Sequence, residues 1–413
     1  MTRYGLPSGS CWVNYWVFNS FTRSMNILFV LTPAFDPYSG GVQMSTYKIG
    51  SYLARAGHEV TVYSFENKGH VDCDFGVLHH APAAGGKGFA QNLRHFSEVI
   101  QNAEPDVVIN QMPYIHDIGE VLKEKQEKLK FLLLGCLRNT LFSVKLNLDA
   151  YRKKVLPAPL QPLFANGIGR RVLLWKHRQR HRADLKKILD TYDYFIMFAP
   201  PNETELEYFV GDYKKHKTAY IPNSIPKVLP EVPKKEKRIL WLSRLSYAQK
   251  RADLILPFWK KVMHHLPDWQ FDVVGHGDAF EDIKNQIEKE QIPRITLHGK
   301  QKPDDYYRRA PIYIMTSAYE GFPNTLIEAQ SFGAVPIVYR NYPVVDWVIE
   351  DGRNGNLISP FNVDQMAQRA MALASDTAQR QRMMEAALEN ARRFTIDRVG
   401  ERWLDFFSEN GKQ

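Results

Sequence analysis

Short apolar runs alternate with amphipathic segments along most of this chain, and this alternation constrains the fold more than any other feature. Residues 26–32, 58–63 and 106–109 have the apolar character of buried strands, and a helical pattern over about 42–56 separates the first two runs. Strands and helices that alternate in this way are typical of βαβ units with a parallel sheet. The first half of the chain is therefore predicted to be an α/β domain.

A second series of the same kind follows a segment rich in Pro, Lys and Glu that ends near Arg238. Its predicted strands lie at residues 239–243, 270–274, 312–315 and 335–338. A chain of 413 residues is too long for one ordinary core. We expect two Rossmann-like domains, one over residues 25–225 and one over residues 226–395, with loops at the carboxyl ends of both sheets lining the cleft between them.

The two ends of the chain have separate interpretations. Residues 1–24 are aromatic and irregular, and Met25 directly precedes the first strand pattern, so we expect an irregular N-terminal extension with Met25 as the natural start. Residues 396–413 contain Trp403 and other aromatic residues at helical spacing. This segment is predicted to be a helix.

Charge and cysteine content limit the classes of partner and of site. The net charge of +9 and the pI near 9.2 favour an anionic partner, which leaves nucleic acid, a phosphate-rich substrate and an anionic membrane surface open. Cys11, Cys73 and Cys136 form no CxxC pair, which disfavours a disulfide framework or a zinc site and favours a reduced, cytoplasmic setting. No apolar run reaches the roughly 18 residues of a membrane span.

Two acidic residues and two basic residues in the second half suggest a site for a sugar nucleotide. Glu320 and Glu328 lie in residues 319–328, with the sequence YEGFPNTLIE, and Arg244 and Lys250 precede them on another strand-to-helix turn. Pro323 favours a helix start, so Glu320 is predicted in the loop before the helix and Glu328 within it. Cations stabilise a departing diphosphate, and carboxylates accept hydrogen bonds from hydroxyl groups.

The spacing of Glu320 and Glu328 resembles the E-x7-E motif of the retaining glycosyltransferases of family 4, which have the GT-B fold. The resemblance is specific over residues 239–358 and general over the rest of the chain from Met25. It implies two Rossmann-like parallel-sheet domains that face an interdomain cleft, with the terminal helix crossing back to the N-terminal domain. It also implies that Arg244 and Lys250 bind the diphosphate of the donor.

The resemblance assigns further residues to the donor. Glu320 would contact hydroxyls of the donor sugar, and Glu328 would bind the ribose of the nucleotide. Backbone groups of a loop after Glu320 would assist, and glycine pairs in both domains would border the phosphates or the nucleotide. These residues are Gly321, Phe322, Pro323, Asn324, Gly40, Gly41, Gly275 and Gly277.

Each assignment has a purely structural alternative. Arg244 and Lys250 could be solvated loop charges, and the two glutamates could be exposed acids near a helix start. The glycines could serve plain turns. Arg251 stands where the family commonly has glycine, which leaves the fine geometry of the phosphate loop open.

His116 is the candidate on the acceptor side. It lies beyond a strand end of the first domain, where some relatives have a functional histidine. The match is loose, because Asn110 and Gln111 replace the usual histidine-rich strand end. An ordinary surface histidine is the alternative.

A basic stretch at residues 169–187 contains Trp175 and several aliphatic residues in one predicted helix. Such a helix can lie on an anionic membrane surface, or it can pack Val172, Leu173 and Trp175 on the core. Nucleic acid is ranked last, because no RNA- or DNA-binding module accompanies the charge.

Together these features predict a glycosyltransferase that moves a sugar from a nucleoside diphosphate, UDP more than GDP or ADP, to a glycan or lipid-linked acceptor. The family implies retention of anomeric configuration and no need for a metal or other cofactor. Surface polysaccharide assembly is the expected pathway, in the cytoplasm or on the inner face of the membrane. The alternatives are a non-catalytic protein that binds a nucleotide sugar or a polyanion, and a nucleotide-sugar epimerase or hydrolase.

Overall fold

The computed structural model describes residues 23–66, 73, 75–83, 88–213 and 217–411. The prediction for residues 1–22 lies outside these ranges. A first parallel sheet has the strand order β3-β2-β1-β4-β5-β6-β7. Its strands are β1 (Asn26–Leu31), β2 (Glu59–Ser64), β3 (Val77–His80), β4 (Val107–Asn110), β5 (Leu132–Cys136), β6 (Tyr194–Met197) and β7 (Thr218–Tyr220).

Helices connect these strands and cover both faces of the sheet. They are α1 (Gly41–Arg55), α2 (Phe89–Ala103), α3 (His116–Leu129), α4 (Ser143–Leu146), α5 (Leu148–Val155), α6 (Gly167–Thr191) and α7 (Asn202–Val210). In β1, alternate residues point to two different clusters, because Leu28 packs with α2 and α3 while Phe29 packs with α1. A strand buried on both faces is a continuous apolar run, as β1 is after its first residue, Asn26.

The second domain has a parallel sheet of order β10-β9-β8-β11-β12-β13. Its strands are β8 (Arg238–Leu242), β9 (Gln270–Val274), β10 (Ile295–Leu297), β11 (Ile312–Met315), β12 (Val335–Tyr339) and β13 (Asn356–Ile358). Its helices are α8 (Ile255–Val262), α9 (Phe280–Glu290), α10 (Asp304–Arg309), α11 (Asn324–Ser331), α12 (Val345–Val348), α13 (Val363–Ser375) and α14 (Thr377–Ala391). Two Rossmann-like domains are therefore present, which confirms the predicted α/β fold class.

The chain passes between the domains twice, and the two passages are hydrogen-bonded to each other. Ile225 donates its N–H to the Phe394 carbonyl over 2.8 Å, and Ile396 donates to the Ile225 carbonyl over 2.8 Å. The Pro- and Lys-rich segment after Ile225 is fixed to the second domain, because the buried ammonium of Lys235 donates to three main-chain carbonyls there. Burial lowers the pKa of Lys235 to about 7.

The last helix, α15 (Ile396–Asn410), packs on the first domain. Trp403 and Phe407 are buried in the cluster that α1 and β1 form. Gly400 lies directly against the ring of Tyr52 on α1, where a Cβ atom would be 2.3 Å from the nearest ring carbon. Glycine at this position therefore permits the close approach of the two helices.

None of the helices in the described ranges combines the length and the apolar character needed to cross a bilayer. Among the described residues, neither Cys73 nor Cys136 takes part in a disulfide.

The contact between Gly400 and Tyr52 gives a stability prediction. Gly400→Ala should lower the free energy of unfolding by about 1–3 kcal/mol, because the added methyl overpacks the α1–α15 contact. Intrinsic helix propensity alone would favour alanine by about 1 kcal/mol, so the sign of the change is diagnostic. Urea unfolding measures it. In a Tyr52→Ala background the substitution should become neutral or stabilising, and an equal loss in both backgrounds would contradict the packing argument.

Candidate functional site

Lys250 and Glu320 meet at the carboxyl end of the second sheet. Lys250 Nζ lies 2.6 Å from Glu320 Oε1, and the two side chains are only 15% and 7% exposed. The main chain on both sides is fixed, because Ala318 donates its N–H to the Gln249 carbonyl over 2.7 Å and Thr316 donates its hydroxyl to the Lys250 carbonyl over 2.7 Å. The turn after β8 and the loop before α11 thus form one unit.

Arg244 joins this unit through Gln249. Its Nη2 atom donates to Gln249 Oε1 over 3.4 Å, and Gln249 Nε2 lies 3.3 Å from Glu320 Oε2. The Arg244 side chain is exposed, whereas Lys250 is largely covered. Both cations therefore lie on the Glu320 side of the turn, and the guanidinium remains accessible to a ligand.

The glycine loop after β9 packs against the Arg244 turn. Gly275 has a φ of +135°, and a Cβ atom there would be 1.8 Å from the Ser243 carbonyl oxygen. At Gly277 a Cβ atom would be 2.2 Å from the Leu245 carbonyl oxygen. The two glycines thus allow backbone to lie on backbone and support the turn that presents Arg244.

Glu328 lies within α11, while Glu320 lies in the preceding loop. Tyr307 donates its hydroxyl to Glu328 Oε2 over 3.2 Å. Burial and the neighbouring Glu328 carboxylate raise the pKa of Tyr307 well above its usual value. The Tyr307 phenol therefore stays protonated and donates a hydrogen bond that holds the Glu328 carboxylate in place.

Lys48 of α1 reaches Glu328 from the first domain. Its Nζ atom is 3.9 Å from Glu328 Oε1 and donates to the Ser224 carbonyl over 3.1 Å. Burial lowers the pKa of Lys48, and the Glu328 carboxylate opposes that shift. The second acid of the pair therefore also has a cation beside it, but this cation comes from the other domain.

The glycine pair of the first domain faces the same helix. A Cβ atom on Gly41, the first residue of α1, would be 3.5 Å from Asn324 Nδ2 at the start of α11. Asn223 bridges the cleft beside them, because its Nδ2 atom donates to Asn324 Oδ1 over 3.2 Å. Gly40 precedes α1 in extended backbone. Gly41 and Asn324, which were both predicted to border the donor, are thus neighbours.

Residues after Glu320 contact the first domain. A Cβ atom on Gly321 would be 2.7 Å from the Asn139 Cα atom, so only glycine allows this approach. Phe322 is buried and stacks on Phe198 with a centroid distance of 5.6 Å. Pro323 directly precedes α11. The side chain of Phe322 therefore serves domain packing, and only its backbone is left for a ligand.

His116 is the first residue of α3, and its Nε2 atom lies 3.1 Å from Asp184 Oδ1 on α6. None of its described contacts is with Glu320 or Glu328. Arg251 has a left-handed φ of +49°, which explains why glycine suits this position. Its guanidinium pairs with Asp253 over 2.7 Å and does not join the Lys250 group.

Sequence reasoning missed Lys48, Gln249 and Tyr307. Gln249 directly precedes Lys250, which was the available signal, whereas Lys48 and Tyr307 come from distant segments and had none. Within the described ranges, no group of three His, Cys, Asp or Glu side chains has the geometry of a metal site.

The segment that contains these residues resembles known proteins. Residues 227–390 match the family model of the glycosyl transferases group 1, and this range contains Arg244, Lys250, Glu320 and Glu328. The poly(glycerol-phosphate) alpha-glucosyltransferase of Bacillus subtilis is 27% identical over 190 residues, which are 45% of this chain and 28% of that protein. This chain thus spans little more than a quarter of that relative.

A second relative matches over almost its full length. The amylovoran biosynthesis glycosyltransferase AmsD of Erwinia amylovora is 23% identical over 376 residues, which cover 90% of this chain and 96% of that protein. Among solved structures, Alr3699/HepE of Anabaena in complex with UDP superposes with a TM-score of 0.67 at 15% identity, covering 93% of this chain and all of that one. The predicted GT-B architecture is confirmed.

The ion pair of Lys250 and Glu320 gives a second stability prediction. Lys250→Met should lower the free energy of unfolding by roughly 3 kcal/mol, because it leaves a buried carboxylate without its cation. Glu320→Gln should also destabilise the protein, and the double variant should cost less than the sum of the two. Urea unfolding of the four proteins measures the coupling. Strictly additive losses would show that the two side chains do not interact in solution.

Proposed function

We propose that this protein is a glycosyltransferase that transfers a sugar from a nucleoside diphosphate to a glycan or lipid-linked acceptor in the interdomain cleft. The observation that carries the proposal is the convergence of Lys250, Glu320 and, through Gln249, Arg244 beyond the carboxyl ends of the neighbouring strands β8 and β11. This group lies within the segment that matches the glycosyl transferases group 1.

The cations would bind the diphosphate of the donor. Lys250 has three N–H donors, so its contact with Glu320 leaves others for a phosphate oxygen. Arg244 is exposed and offers a planar guanidinium that matches two phosphate oxygens. We take UDP as the preferred nucleotide, an expectation supported by a structural neighbour that was solved with UDP.

The two acids and the nearby amides would bind the sugar and the ribose. Glu320 would accept hydrogen bonds from donor-sugar hydroxyls, with help from the backbone of Gly321, Phe322 and Asn324. Glu328 would accept from the ribose hydroxyls after Lys48 releases it. Gly40, Gly41, Gly275 and Gly277 would let the main chain approach the nucleotide closely.

In the transfer step, the bond between the anomeric carbon and the β-phosphate oxygen breaks, and a bond to the acceptor oxygen forms. Positive charge develops on the sugar and negative charge on the leaving phosphate, which Arg244 and Lys250 stabilise. The leaving phosphate takes the proton of the acceptor hydroxyl on the same face, so the anomeric configuration is retained. These two side chains supply the charge that a metal provides elsewhere, and we propose a reaction that needs no metal or other cofactor.

The pathway proposed is surface polysaccharide assembly, in the cytoplasm or at the inner face of the membrane. Its support is the name of the relative that aligns over almost its full length, an amylovoran biosynthesis glycosyltransferase. His116 remains a candidate on the acceptor side, although its contact with Asp184 favours a structural role.

Site variants test the enzymatic proposal. With the nucleotide sugar that best stabilises the protein thermally, Glu320→Gln, Arg244→Gln and Lys250→Gln should each lower kcat by about 10²–10³-fold, because each removes a group that acts on developing charge. Mass spectrometry of the glycosylated acceptor measures transfer. NMR of the product should show the anomeric configuration of the donor.

Arg369→Gln, an exposed arginine of α13, is the matched control and should leave transfer unchanged. Chelator should have no effect on the wild-type rate. Tight binding without turnover would favour a non-catalytic binding protein, whereas free or isomerised sugar without acceptor would favour a hydrolase or an epimerase.

The surface around α6 supports a second proposal, contact with an anionic membrane. Five apolar side chains between residues 160 and 175 are exposed, namely Leu160 (43%), Leu163 (64%), Ile168 (76%), Val172 (38%) and Trp175 (61%). Leu173 is buried, so the alternative in which this helix packs on the core applies to that residue but not to Val172 or Trp175.

Cations accompany these apolar groups. Arg171, Lys176, Arg178 and Arg180 are exposed on the same helix. Aromatic and aliphatic groups enter the interface of a bilayer, and the cations bind its phosphates. A membrane surface would also bring a lipid-linked acceptor to the enzyme.

Vesicle sedimentation tests the membrane proposal. Wild-type protein should sediment with vesicles rich in phosphatidylglycerol, should stay in solution with pure phosphatidylcholine, and should be released by salt. Ile168→Ser with Trp175→Ser should abolish sedimentation, because both side chains are exposed on this surface. Val77→Ser, which removes an apolar group that is 55% exposed elsewhere on the protein, should not. Equal sedimentation of all three proteins would contradict the proposal.

A further inference from the structure

Each oxygen of the Glu328 carboxylate already has a neighbour within the protein. Tyr307 donates its hydroxyl to Oε2 over 3.2 Å from within the second domain, whereas Lys48 Nζ lies 3.9 Å from Oε1 and comes from the first domain. A ribose in the interdomain cleft would approach the carboxylate from the side on which Lys48 lies. Lys48 and a ribose hydroxyl therefore need the same oxygen of Glu328.

The contact between Lys48 and Glu328 is an ion pair without a hydrogen bond. Its distance of 3.9 Å exceeds that of an N–H···O hydrogen bond. Both side chains also keep some contact with solvent, since Lys48 is 15% exposed and Glu328 is 27% exposed. Ion pairs with solvent contact contribute little free energy. A hydroxyl that donates to Glu328 at hydrogen-bond distance can therefore replace the lysine.

Ser224 offers Lys48 a second place for its charge. The Ser224 carbonyl already accepts a hydrogen bond from Lys48 Nζ over 3.1 Å. The hydroxyl oxygen of the same residue is buried and has no hydrogen-bond partner within the described part of the chain. An ammonium group has three N–H donors. Lys48 can therefore bind both oxygens of Ser224 when a ligand takes its place at Glu328.

The remaining polar contacts between α1, Asn223 and α11 carry no charge. Ser45 of α1 donates its hydroxyl to Asn223 Oδ1 over 2.9 Å, and Asn223 donates in turn to Asn324 Oδ1 over 3.2 Å. Gly41 lies beside Asn324 at the starts of the two helices. These contacts hold α1 next to α11 without Lys48. The lysine can therefore change its partner while both helices stay in place.

We propose that Lys48 is a displaceable counter-ion of Glu328 that competes with the ribose of the nucleotide and so promotes release of the nucleoside diphosphate after transfer. In the empty site Lys48 pairs with Glu328, and in the complex it withdraws to Ser224. Its return weakens the product complex, and affinity differences between related complexes lie mostly in the dissociation rate. The inference rests on the proposed function, in which Glu328 binds the ribose, and it adds a residue of the first domain to that site.

Titration calorimetry with UDP and with dideoxy-UDP, which lacks both ribose hydroxyls, tests the competition. Lys48→Met should bind UDP about fivefold more tightly than the wild type, because the partly exposed ion pair no longer competes. Stopped-flow measurements should show UDP release slowed by a similar factor. The affinity for dideoxy-UDP should not change, because this ligand offers Glu328 no hydroxyl.

Two further variants and a matched control accompany this test. Lys48→Arg keeps the cation and should bind UDP with wild-type affinity. Ser224→Ala removes the alternative oxygen and should weaken UDP binding about fivefold, the worth of one net hydrogen bond, without an effect on dideoxy-UDP. Lys261→Met removes a lysine that pairs with Asp364 near the end of α8, and it should leave both affinities unchanged.

The outcomes separate this inference from the proposed function. Weaker UDP binding in Lys48→Met would mean that Lys48 contacts the ligand, and equal changes for both ligands would mean a general structural effect. Either result would overturn the inference. If Glu328→Gln lowers the preference for UDP over dideoxy-UDP while Lys48→Met changes nothing, the ribose site is retained and only the role of Lys48 is wrong. If the wild-type protein does not bind UDP, the proposed function fails and the role of Lys48 fails with it.

Discussion

The relation between the two sheets depends on the paired passages of the chain at Ile225 and Thr395. The outgoing and returning segments form a short parallel β-bridge. The two domains are therefore connected by two segments that are hydrogen-bonded to each other beside the cleft. Asn223 lies just before the outgoing passage and bonds to Asn324, while α15 begins just after the return. The same bridge therefore fixes the facing loops of the site and the docking of the last helix.

The sequence predicts those parts of the molecule that depend on local pattern. The apolar residues of β1 and β8 predict strands because they are buried on both faces, and Pro323 marks the start of α11. Consequently the positions of Glu320 in a loop and of Glu328 in a helix follow from sequence. The proximity of Lys250 to Glu320 was expected only from family resemblance, since seventy positions separate them.

Contacts between distant segments have no local signal. Lys48 contacts Glu328 across the cleft, and Gln111 lies near Arg138 only because β4 and β5 are neighbours. Arg251 is another such case, because the structure shows that this cation, next to the motif, pairs with Asp253.

The site is arranged so that its charges neutralise one another before a substrate binds. Lys250 pairs with Glu320 within one domain, whereas Lys48 pairs with Glu328 between domains. In the proposed reaction, a diphosphate that binds Lys250 would free Glu320 for sugar hydroxyls, and a ribose that binds Glu328 would release Lys48. Because each exchange replaces one polar contact by another, little desolvation is left uncompensated.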